Sequence, residues 1–429
     1  MRYKNNLCLA LITLSVLSIS LVSNIDVFAQ SKKGTFGSSL EKFEKGKSAP
    51  KDKEQNNQKS NTPPDDGTIR VDTNLIISDV LVVNEKGNPV IGLNQSDFIV
   101  KEDTKPQKIE LFSFGANASL PRSIVLIFFN GRYSRYDREN NLRAAKYLVD
   151  KLAPNDKMAI VTLDVNLALD FTTDKKLLKK TLNSLSDQRR ANPSVSRTYG
   201  TLMAVLGEMF DEKDVRPIVV LQTPGGELWQ LKETDLLKLP EDAPSVSELY
   251  QRIRKKISKE AKADSDKAYP ERGYGFSDIL ETVERSRATI YSIIPDMRFV
   301  GHSREEQLRR GRISVEDWMR RAVKETDLLV INKKADEYKE NEADGIIINQ
   351  LSMIQIATAS GGLTNFIEQP KDAEKVYDDI FTIINNRYTI GYYSDNETQT
   401  DKPRSVKIEV RGHPEYKIIG RNSYIAPER

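Results

Sequence analysis

One apolar run constrains the fold of this chain more than any other feature: residues 123–130, Ser-Ile-Val-Leu-Ile-Phe-Phe-Asn. Its large apolar residues follow one another without alternation, and most of them are β-branched or aromatic. Strands of this kind are buried on both faces, in the middle of a parallel sheet that helices cover. Pro121 precedes the run, and Asn130-Gly131 follows it as a turn. The run therefore predicts the central strand of an α/β sheet.

A second apolar run, residues 215–223, has the same character and ends in the turn Pro224-Gly225-Gly226. In an open α/β sheet, ligands bind beyond the carboxyl ends of neighbouring central strands, where the strand order reverses. The turns that follow the two runs are therefore the places where a functional site is expected.

Segments near both ends of the chain resemble the bacterial "VWFA-related" secreted proteins of the von Willebrand factor A (VWA) family. They are residues 88–98 with Glu102-Asp103, and the closing stretch 420–427. The resemblance implies a doubly wound, Rossmann-like VWA sheet with helices on both faces. It also implies a metal-ion-dependent adhesion site (MIDAS), in which oxygen ligands hold a divalent cation that takes a partner's carboxylate. In that family the first strand runs into Asp-x-Ser-x-Ser, a Thr follows on a later loop, and the fourth strand runs into Thr-Asp-Gly.

This chain departs from the family motif at the end of the first strand. Aligned without a gap, the three Asp-x-Ser-x-Ser positions fall on Phe129, Gly131 and Tyr133. Shifted by one residue, they fall on Asn130, Arg132 and Ser134. Neither alignment supplies a carboxylate, so the motif is expected not to bind a cation.

The fourth strand departs from the motif as well, because Thr-Asp-Gly becomes Thr223-Pro224-Gly225. Thr198 and Thr201 are the candidates for the lone Thr. We therefore expect a degenerate MIDAS with no metal and no cofactor. The partner-binding candidates at its rim are Arg132, Tyr133 and Trp229.

Residues 1–29 have the pattern of a secretory signal peptide. Arg2 and Lys4 are basic, residues 7–22 are mostly apolar, and cleavage is expected after Ala29. Export places the mature chain in the periplasm or outside the cell; an uncleaved N-terminal anchor is the alternative. Cys8 lies inside the signal, so the mature chain is expected to have no disulfide.

Residues 30–67 are rich in Lys, Ser, Gln, Asn, Pro and Gly, which predicts a disordered linker without a binding role. Basic and acidic residues are nearly balanced, 65 against 62, so the composition gives no argument for nucleic acid as a partner. After the signal, no apolar run is long enough to predict a transmembrane segment.

The two ends of the mature chain, residues 68–117 and 387–429, contain short alternating segments that predict β-strands. We expect these segments to form one β-sandwich-like module, with the VWA-like domain, residues 118–386, inserted between its halves. Two β extensions that dock separately on the VWA-like domain are the alternative.

Within residues 118–386, strands and amphipathic helices alternate, as in a doubly wound sheet. Helices are predicted at 138–152, 174–185, 201–210 and 372–385, and strands at 157–164, 167–171, 215–223, 288–294 and 363–367. Insertions at about 227–285 and 298–343 follow the fourth and fifth strands. They emerge near the rim of the degenerate site, where loops on a rigid scaffold often bind partners.

Motifs that would indicate an enzyme are missing from the sequence. His302 and His413 lie in different predicted modules, and no phosphate-binding loop, nucleophile elbow or dinucleotide fingerprint occurs. The expected function is a secreted or envelope-exposed protein-interaction module that has lost metal-dependent binding, rather than an enzyme. A structural subunit of an envelope assembly and an uncharacterised hydrolase are the alternatives. The partner's identity and the oligomeric state stay open.

Overall fold

A computed structural model of the chain describes residues 36–40, 75–115, 121–129, 135–187, 197–211, 216–223, 225, 228, 231, 273–396, 398 and 402–426. At 135–140, 322 and 370 it describes the backbone alone. The chain divides into two compact units, and all described residues belong to the second, Thr35–Arg429.

The described residues form strands and helices in the following order along the chain. The strands are β1 Leu75–Val83, β2 Phe98–Glu102, β3 Lys105–Gln107, β4 Ile109–Phe114, β5 Arg122–Phe128, β6 Lys157–Thr162, β7 Asn166–Thr172, β8 Arg216–Gln222, β9 Thr289–Ile294, β10 Thr364–Phe366, β11 Arg387–Tyr393, β12 Arg404–Val410, β13 Lys417–Ile419 and β14 Ser423–Tyr424. The helices are α1 Arg135–Lys151, α2 Lys175–Asp187, α3 Thr198–Glu208, α4 Phe276–Arg285, α5 Arg304–Trp318, α6 Leu328–Ala359 and α7 Ala373–Asn385.

A six-stranded sheet in the order β10-β9-β8-β5-β6-β7 forms the centre of the α/β domain. All neighbours in it are parallel except β6 and β7, which form an antiparallel hairpin. Every residue of β5 is buried. Successive side chains of β5 enter two different cores: Val125 and Ile127 pack with α3, α4 and α6, whereas Ile124, Leu126 and Phe128 pack with α1, α2 and α7. Helices therefore cover both faces, and the predicted fold class is confirmed.

The ends of the chain form two four-stranded sheets, β13-β1-β11-β4 and β14-β12-β2-β3. Both contain N-terminal and C-terminal strands: β11 lies between β1 and β4, and β12 pairs with β2. One apolar core joins the two sheets. The shared sandwich is thus confirmed, and the alternative of two separate extensions is wrong. The mixing of both ends in each sheet was not predicted, because the alternation of apolar residues indicates which face of a strand is buried but not which strand pairs with it.

Residues 416–424, near the C-terminal end of the predicted β segment 387–429, contain two strands, β13 and β14, in different sheets. Gly420 lies between them, and a Cβ there would be 2.6 Å from Val80 Cγ1. The chain passes close to β1 at Gly420 and changes from one sheet to the other there, so β13 and β14 are separate strands.

The insertion over 298–343 folds as a helical hairpin of α5 and α6. Gly311 on α5 touches α6 so closely that a Cβ would overlap the Lys339 carbonyl oxygen. A small core of Val315, Met319, Ile331 and Ala335 packs between the helices near their connection. Most of the other predicted insertion, at about 227–285, lies outside the described residues.

The pentapeptide Phe36–Leu40 belongs to the stretch that composition predicts to be a disordered linker. Leu40 is instead buried in the core of the α/β domain, and Phe36 packs against the same core. The linker prediction is therefore wrong for these residues: two apolar side chains four positions apart are enough to anchor a short segment, while a composition average conceals them.

Within the part of the chain that the structure describes, no helix combines the length and apolar character needed to cross a membrane.

Candidate functional site

The candidate site lies at the carboxyl edge of the six-stranded sheet, the edge at which its parallel strands end. β5 and β8 are neighbours there, with Ile127 opposite Leu221. From β5 the chain adds β6 and β7 on one side, and β8, β9 and β10 on the other. The strand order therefore reverses between β5 and β8, which is where open α/β sheets bind ligands.

The first residue after β5, Phe129, is a core residue with 4% of its surface exposed. Its carbonyl oxygen accepts a hydrogen bond from Asn141 Nδ2 at 3.4 Å. In the ungapped alignment, the position of the first MIDAS aspartate therefore holds a buried aromatic ring. The remaining candidates in these turns, Asn130, Arg132, Tyr133, Ser134, Pro224 and Trp229, lie outside the described residues.

Two hydroxyls and one carbonyl form a buried cluster where β8 ends, which we call the hydroxyl cluster: Thr198, Thr223 and the Gly225 carbonyl. Thr198 Oγ1 donates to the Gly225 oxygen at 2.9 Å and lies 3.1 Å from Thr223 Oγ1. Thr223 Oγ1 is 2.7 Å from the same carbonyl and accepts from the Gly225 N–H at 3.1 Å. Both threonines are fully buried. The hydroxyls are therefore satisfied within the protein.

Helix α6 closes one side of the hydroxyl cluster. Gly225 has a φ of +139°. A Cβ at Gly225 would lie only 2.6 Å from Asn349 Cβ, so any other side chain would clash with α6. Gly225 thus has a packing role, because it lets the turn after β8 reach the helix.

Thr201, the other threonine candidate, makes its described contact elsewhere. Its hydroxyl accepts a hydrogen bond from the Val165 N–H at 3.2 Å. Val165 lies on the β6–β7 turn with a left-handed φ of 59°. A β-branched residue rarely adopts this conformation, so Thr201 stabilises a strained turn. The structure thus assigns Thr198 to the hydroxyl cluster and Thr201 to the turn between β6 and β7.

Polar groups that the sequence analysis did not select lie beneath the same edge, on the face that α1 and α7 cover. Gln222, the last residue of β8, donates to the Asn141 carbonyl at 3.4 Å and to the Tyr377 hydroxyl. Burial raises the pKa of Tyr377 above its ordinary value. Among the described side chains, Gln222 Oε1 and Asn141 Oδ1 are buried without a hydrogen-bond partner. The sequence signal that could have revealed this layer is a glutamine at the end of an otherwise apolar run.

The residues at this edge fit a hard divalent cation poorly. Such a cation requires several oxygen ligands, with carboxylates to balance its charge. The hydroxyls of Thr198 and Thr223 are engaged with Gly225, and Asp164 on the β6–β7 turn accepts from the Thr162 hydroxyl. The described ranges contain no group of three or more His, Cys, Asp or Glu side chains that could hold a metal ion.

The helical hairpin extends beyond the same edge. On α6, Asn349 packs on Gly225 after β8, whereas the Ser360 hydroxyl accepts from the Ile290 N–H near the start of β9. Helix α6 thus crosses the sheet between these residues, and its first residue, Leu328, is about 30 Å from Asn349 along the helix axis, at about 1.5 Å per residue.

Large apolar side chains are exposed at the end of this hairpin. We call them the hairpin tip: Trp318, Val323, Leu328, Leu329 and Val330. The most exposed is Leu329, at 79%. An exposed apolar patch rather than a single residue is typical of an interaction site.

Comparisons with known proteins give matches to solved structures alone; no family model and no curated protein matches the sequence. The vWF domain of the type V pili tip protein Mfa5 from Porphyromonas gingivalis is 12% identical, with a TM-score of 0.34, and the match covers 62% of this chain and 95% of that one. Manganese-loaded TRAP protein from Plasmodium vivax is 9% identical, with a TM-score of 0.27, covering 77% and 100%.

The pilus adhesin SpaC from Lactobacillus rhamnosus GG, in an open conformation, is 9% identical, with a TM-score of 0.29. That match covers 79% of this chain and 49% of SpaC, so the chain spans about half of the SpaC structure. TM-scores below 0.5 are too low to transfer any property to this chain.

Proposed function

We propose that this chain is an exported, non-enzymatic protein of the VWFA-related kind, which binds a protein partner at its carboxyl edge without a divalent cation. The hydroxyl cluster carries this proposal. The hydroxyls of Thr198 and Thr223 already form hydrogen bonds with each other and with the Gly225 carbonyl. Where a cation would need carboxylates, the sequence has Phe129 or Asn130 after β5 and Pro224 after β8. Hydroxyls alone do not balance the charge of a divalent cation.

Metal independence is tested by thermal unfolding in magnesium, in manganese and in EDTA. A cation that binds only the folded state at a hundredfold excess over its Kd stabilises it by about 2.7 kcal/mol. We expect the same melting temperature in all three conditions. A reproducible increase with either cation that EDTA reverses would contradict the proposal.

Export is proposed from residues 1–29, where a basic start, an apolar stretch and Val27-Phe28-Ala29 follow one another. The mature protein is then periplasmic or extracellular. N-terminal sequencing of the exported protein should begin at Gln30. An intact Met1 on membrane-associated protein would indicate an uncleaved anchor.

The partner surface consists of the carboxyl-edge turns and the hairpin tip. Arg132, Tyr133 and Trp229 are the candidates in the turns and loop that follow β5 and β8. The hairpin tip adds exposed apolar area on the same side of the sheet, and apolar patches are a common mark of protein interfaces.

This surface is tested by capture of partners from the native envelope in the presence of chelator. Leu329→Asp places a charge in the hairpin tip, and Ile91→Asp is a matched control because Ile91 is exposed on the sandwich, at 64%. We expect Leu329→Asp to lose the captured partner and Ile91→Asp to retain it. Equal capture by both variants would exclude the tip, and Arg132, Tyr133 and Trp229 variants then test the turns separately.

A structural subunit of an envelope assembly is the second candidate, and the apolar character of the hairpin tip favours it. Permanent interfaces are more apolar than reversible ones. Purification at native expression distinguishes the two functions: a stable complex indicates a structural subunit, and a free chain indicates reversible binding.

A further inference from the structure

The pentapeptide Phe36–Leu40 occupies a specific groove on the α/β domain, although residues 41–74 separate it from β1. Leu40 is 2% exposed, and its Cδ1 would be 3.5 Å from a Cβ at Gly200 on α3. Tyr274 lies beside the same glycine, with its hydroxyl 3.2 Å from that Cβ position. Leu40 and Tyr274 therefore both pack against α3 at Gly200.

The carboxylate of Glu208, at the end of α3, binds the pentapeptide through three donors. It accepts from the Gly37 N–H at 2.8 Å, from the Ser39 N–H at 3.0 Å and from the Ser39 hydroxyl. The Leu40 N–H bonds back to the Gly37 carbonyl at 3.1 Å, which closes a turn. Hydrogen bonds to a charged acceptor are about twice as strong as neutral ones.

Glycine is the one residue type that fits at position 37. Its φ is +89°, and a Cβ there would lie 2.6 Å from Val165 Cγ1 on the β6–β7 turn. Ser38 is exposed, whereas its neighbours face the domain. The groove thus selects glycine, serine and leucine at three positions and leaves the position between glycine and serine unspecified.

We propose that this surface, the Glu208 groove (Val165, Gly200, Glu208 and Tyr274), is a binding site for short peptides of the pattern Gly-x-Ser-Leu. Residues 36–40 are its tethered ligand. A tethered ligand competes at an effective concentration in the millimolar range, so a free peptide binds well only after the tethered segment has been displaced. This inference is separate from the proposed function, because Glu208 lies at the opposite end of α3 from Thr198 of the hydroxyl cluster.

The test uses a fluorescent synthetic peptide of residues 33–43 and the full chain. Gly37→Val should release the tethered segment because the valine would clash with Val165. We expect the peptide to bind the Gly37→Val protein at least tenfold more tightly than the wild-type protein, since millimolar competition is removed. A Glu208→Gln change added to Gly37→Val should weaken binding at least tenfold.

Matched peptides test the specificity of the groove. Ser39→Ala removes a side chain that Glu208 binds, whereas Ser38→Ala changes an exposed neighbour. The Ser38→Ala peptide should bind like the original and the Ser39→Ala peptide several-fold more weakly. No binding to a folded Gly37→Val protein, or equal binding of both peptides, would overturn the proposal.

A second measurement keeps the proposal testable if Gly37→Val fails to fold. A protease site inserted within residues 46–60 of the wild-type chain allows the segment to be cut from its tether after folding. We expect the cut fragment to be exchanged by millimolar peptide of residues 33–43. A fragment that stays bound under these conditions would show that the segment is a permanent part of the core.

The ligand in trans is expected to come from a second copy of this chain, because residues 36–40 are the sequence that the groove binds. Tagged Gly37→Val protein, which has a free groove, is mixed with an untagged Glu208→Gln variant, whose weakened groove releases its own segment, and with an untagged Glu208→Gln, Leu40→Asp double variant. Capture of the first variant but not of the second supports a second copy as the source. Capture of neither, while the peptide still binds, would overturn this assignment and leave another protein as the source.

Discussion

The two ends of β5 and β8 differ sharply in charge. At the amino ends, Arg122 and Arg216 are each 2% exposed and paired with carboxylates. At the carboxyl ends, the hydroxyls of Thr198 and Thr223 bond to one another and to a carbonyl group. The same strands therefore have buried charged side chains at their amino ends, whereas the described groups of the hydroxyl cluster at their carboxyl ends are neutral.

The buried charges at the amino edge join the two modules. Arg216 on β8 reaches Asp79 on β1 of the sandwich at 3.3 Å and the Gly115 carbonyl at 2.7 Å. Arg387 on β11 donates to the Asp79 carbonyl at 2.7 Å and to the Gly361 carbonyl, just after α6, at 2.6 Å. At this edge, Arg216 and Arg387 therefore connect the α/β domain to the sandwich.

The largest effect is expected from deletion of residues 387–429. This removes β11 from between β1 and β4, removes β12 from β2, and exposes the apolar faces of the remaining strands. Limited proteolysis should then cleave residues 75–115 rapidly. If they resist as well as in the full-length chain, the two ends do not depend on each other.

The next largest loss of stability is expected from Asp79→Ala, which leaves the Arg216 guanidinium buried without its carboxylate partner. Breaking a buried ion pair costs about 3–5 kcal/mol of unfolding free energy. Denaturant unfolding measures the loss. Glu409→Ala removes the pairing of Glu409 with Lys101, both 36% exposed, and should cost less than about 1 kcal/mol. Similar losses in both variants would contradict the contrast between buried and exposed charges.

A smaller effect is expected from Thr198→Val at the carboxyl edge. The change removes one donor to the Gly225 carbonyl, which Thr223 still contacts, so the expected loss is about 1–2 kcal/mol. Thr358→Val on the exposed side of α6 should change unfolding free energy by less than about 0.5 kcal/mol. If Thr198→Val destabilised the protein as much as Asp79→Ala, the neutral edge would also be a main stabilising contact.

The smallest effect on stability is expected at Glu306, which lies in the first turn of α5, at the base of the helical hairpin. Hydrogen bonds from Arg309 and Arg310 lower its pKa from 4.5 to about 2. A lowered carboxylate pKa stabilises the fold above pH 4.5, and that contribution is lost as pH falls towards 2. NMR titration should find the low value in the wild type and a higher one in Arg309→Gln. Thermal stability should change little, because this pair is exposed and screened by solvent.

Much of the fold was predictable because its signals are local. The unbroken apolar runs of β5 and β8 indicated buried parallel strands, and alternation at both chain ends indicated a sandwich. Strand β3, three residues long, was missed because so short a segment has no periodicity.

The candidate site was only partly predictable. The sequence located the two turns and proposed Thr198 and Thr201 as equivalent candidates. Only the packing of α3 against the turn after β8 separated them, because Thr198 meets Gly225 and Thr201 meets Val165. The absence of a metal at this edge stays a prediction for the cation experiment.

The sequence alone determined the strand types and the helices that alternate with them, because both depend on local spacing. The tertiary structure decided the rest: the mixing of both chain ends in each sheet, the ion pair between Asp79 and Arg216, and the docking of Phe36–Leu40. These features join residues more than a hundred positions apart, such as Ser39 and Glu208. No local pattern encodes such a pairing, because it depends on which surfaces the whole chain brings together.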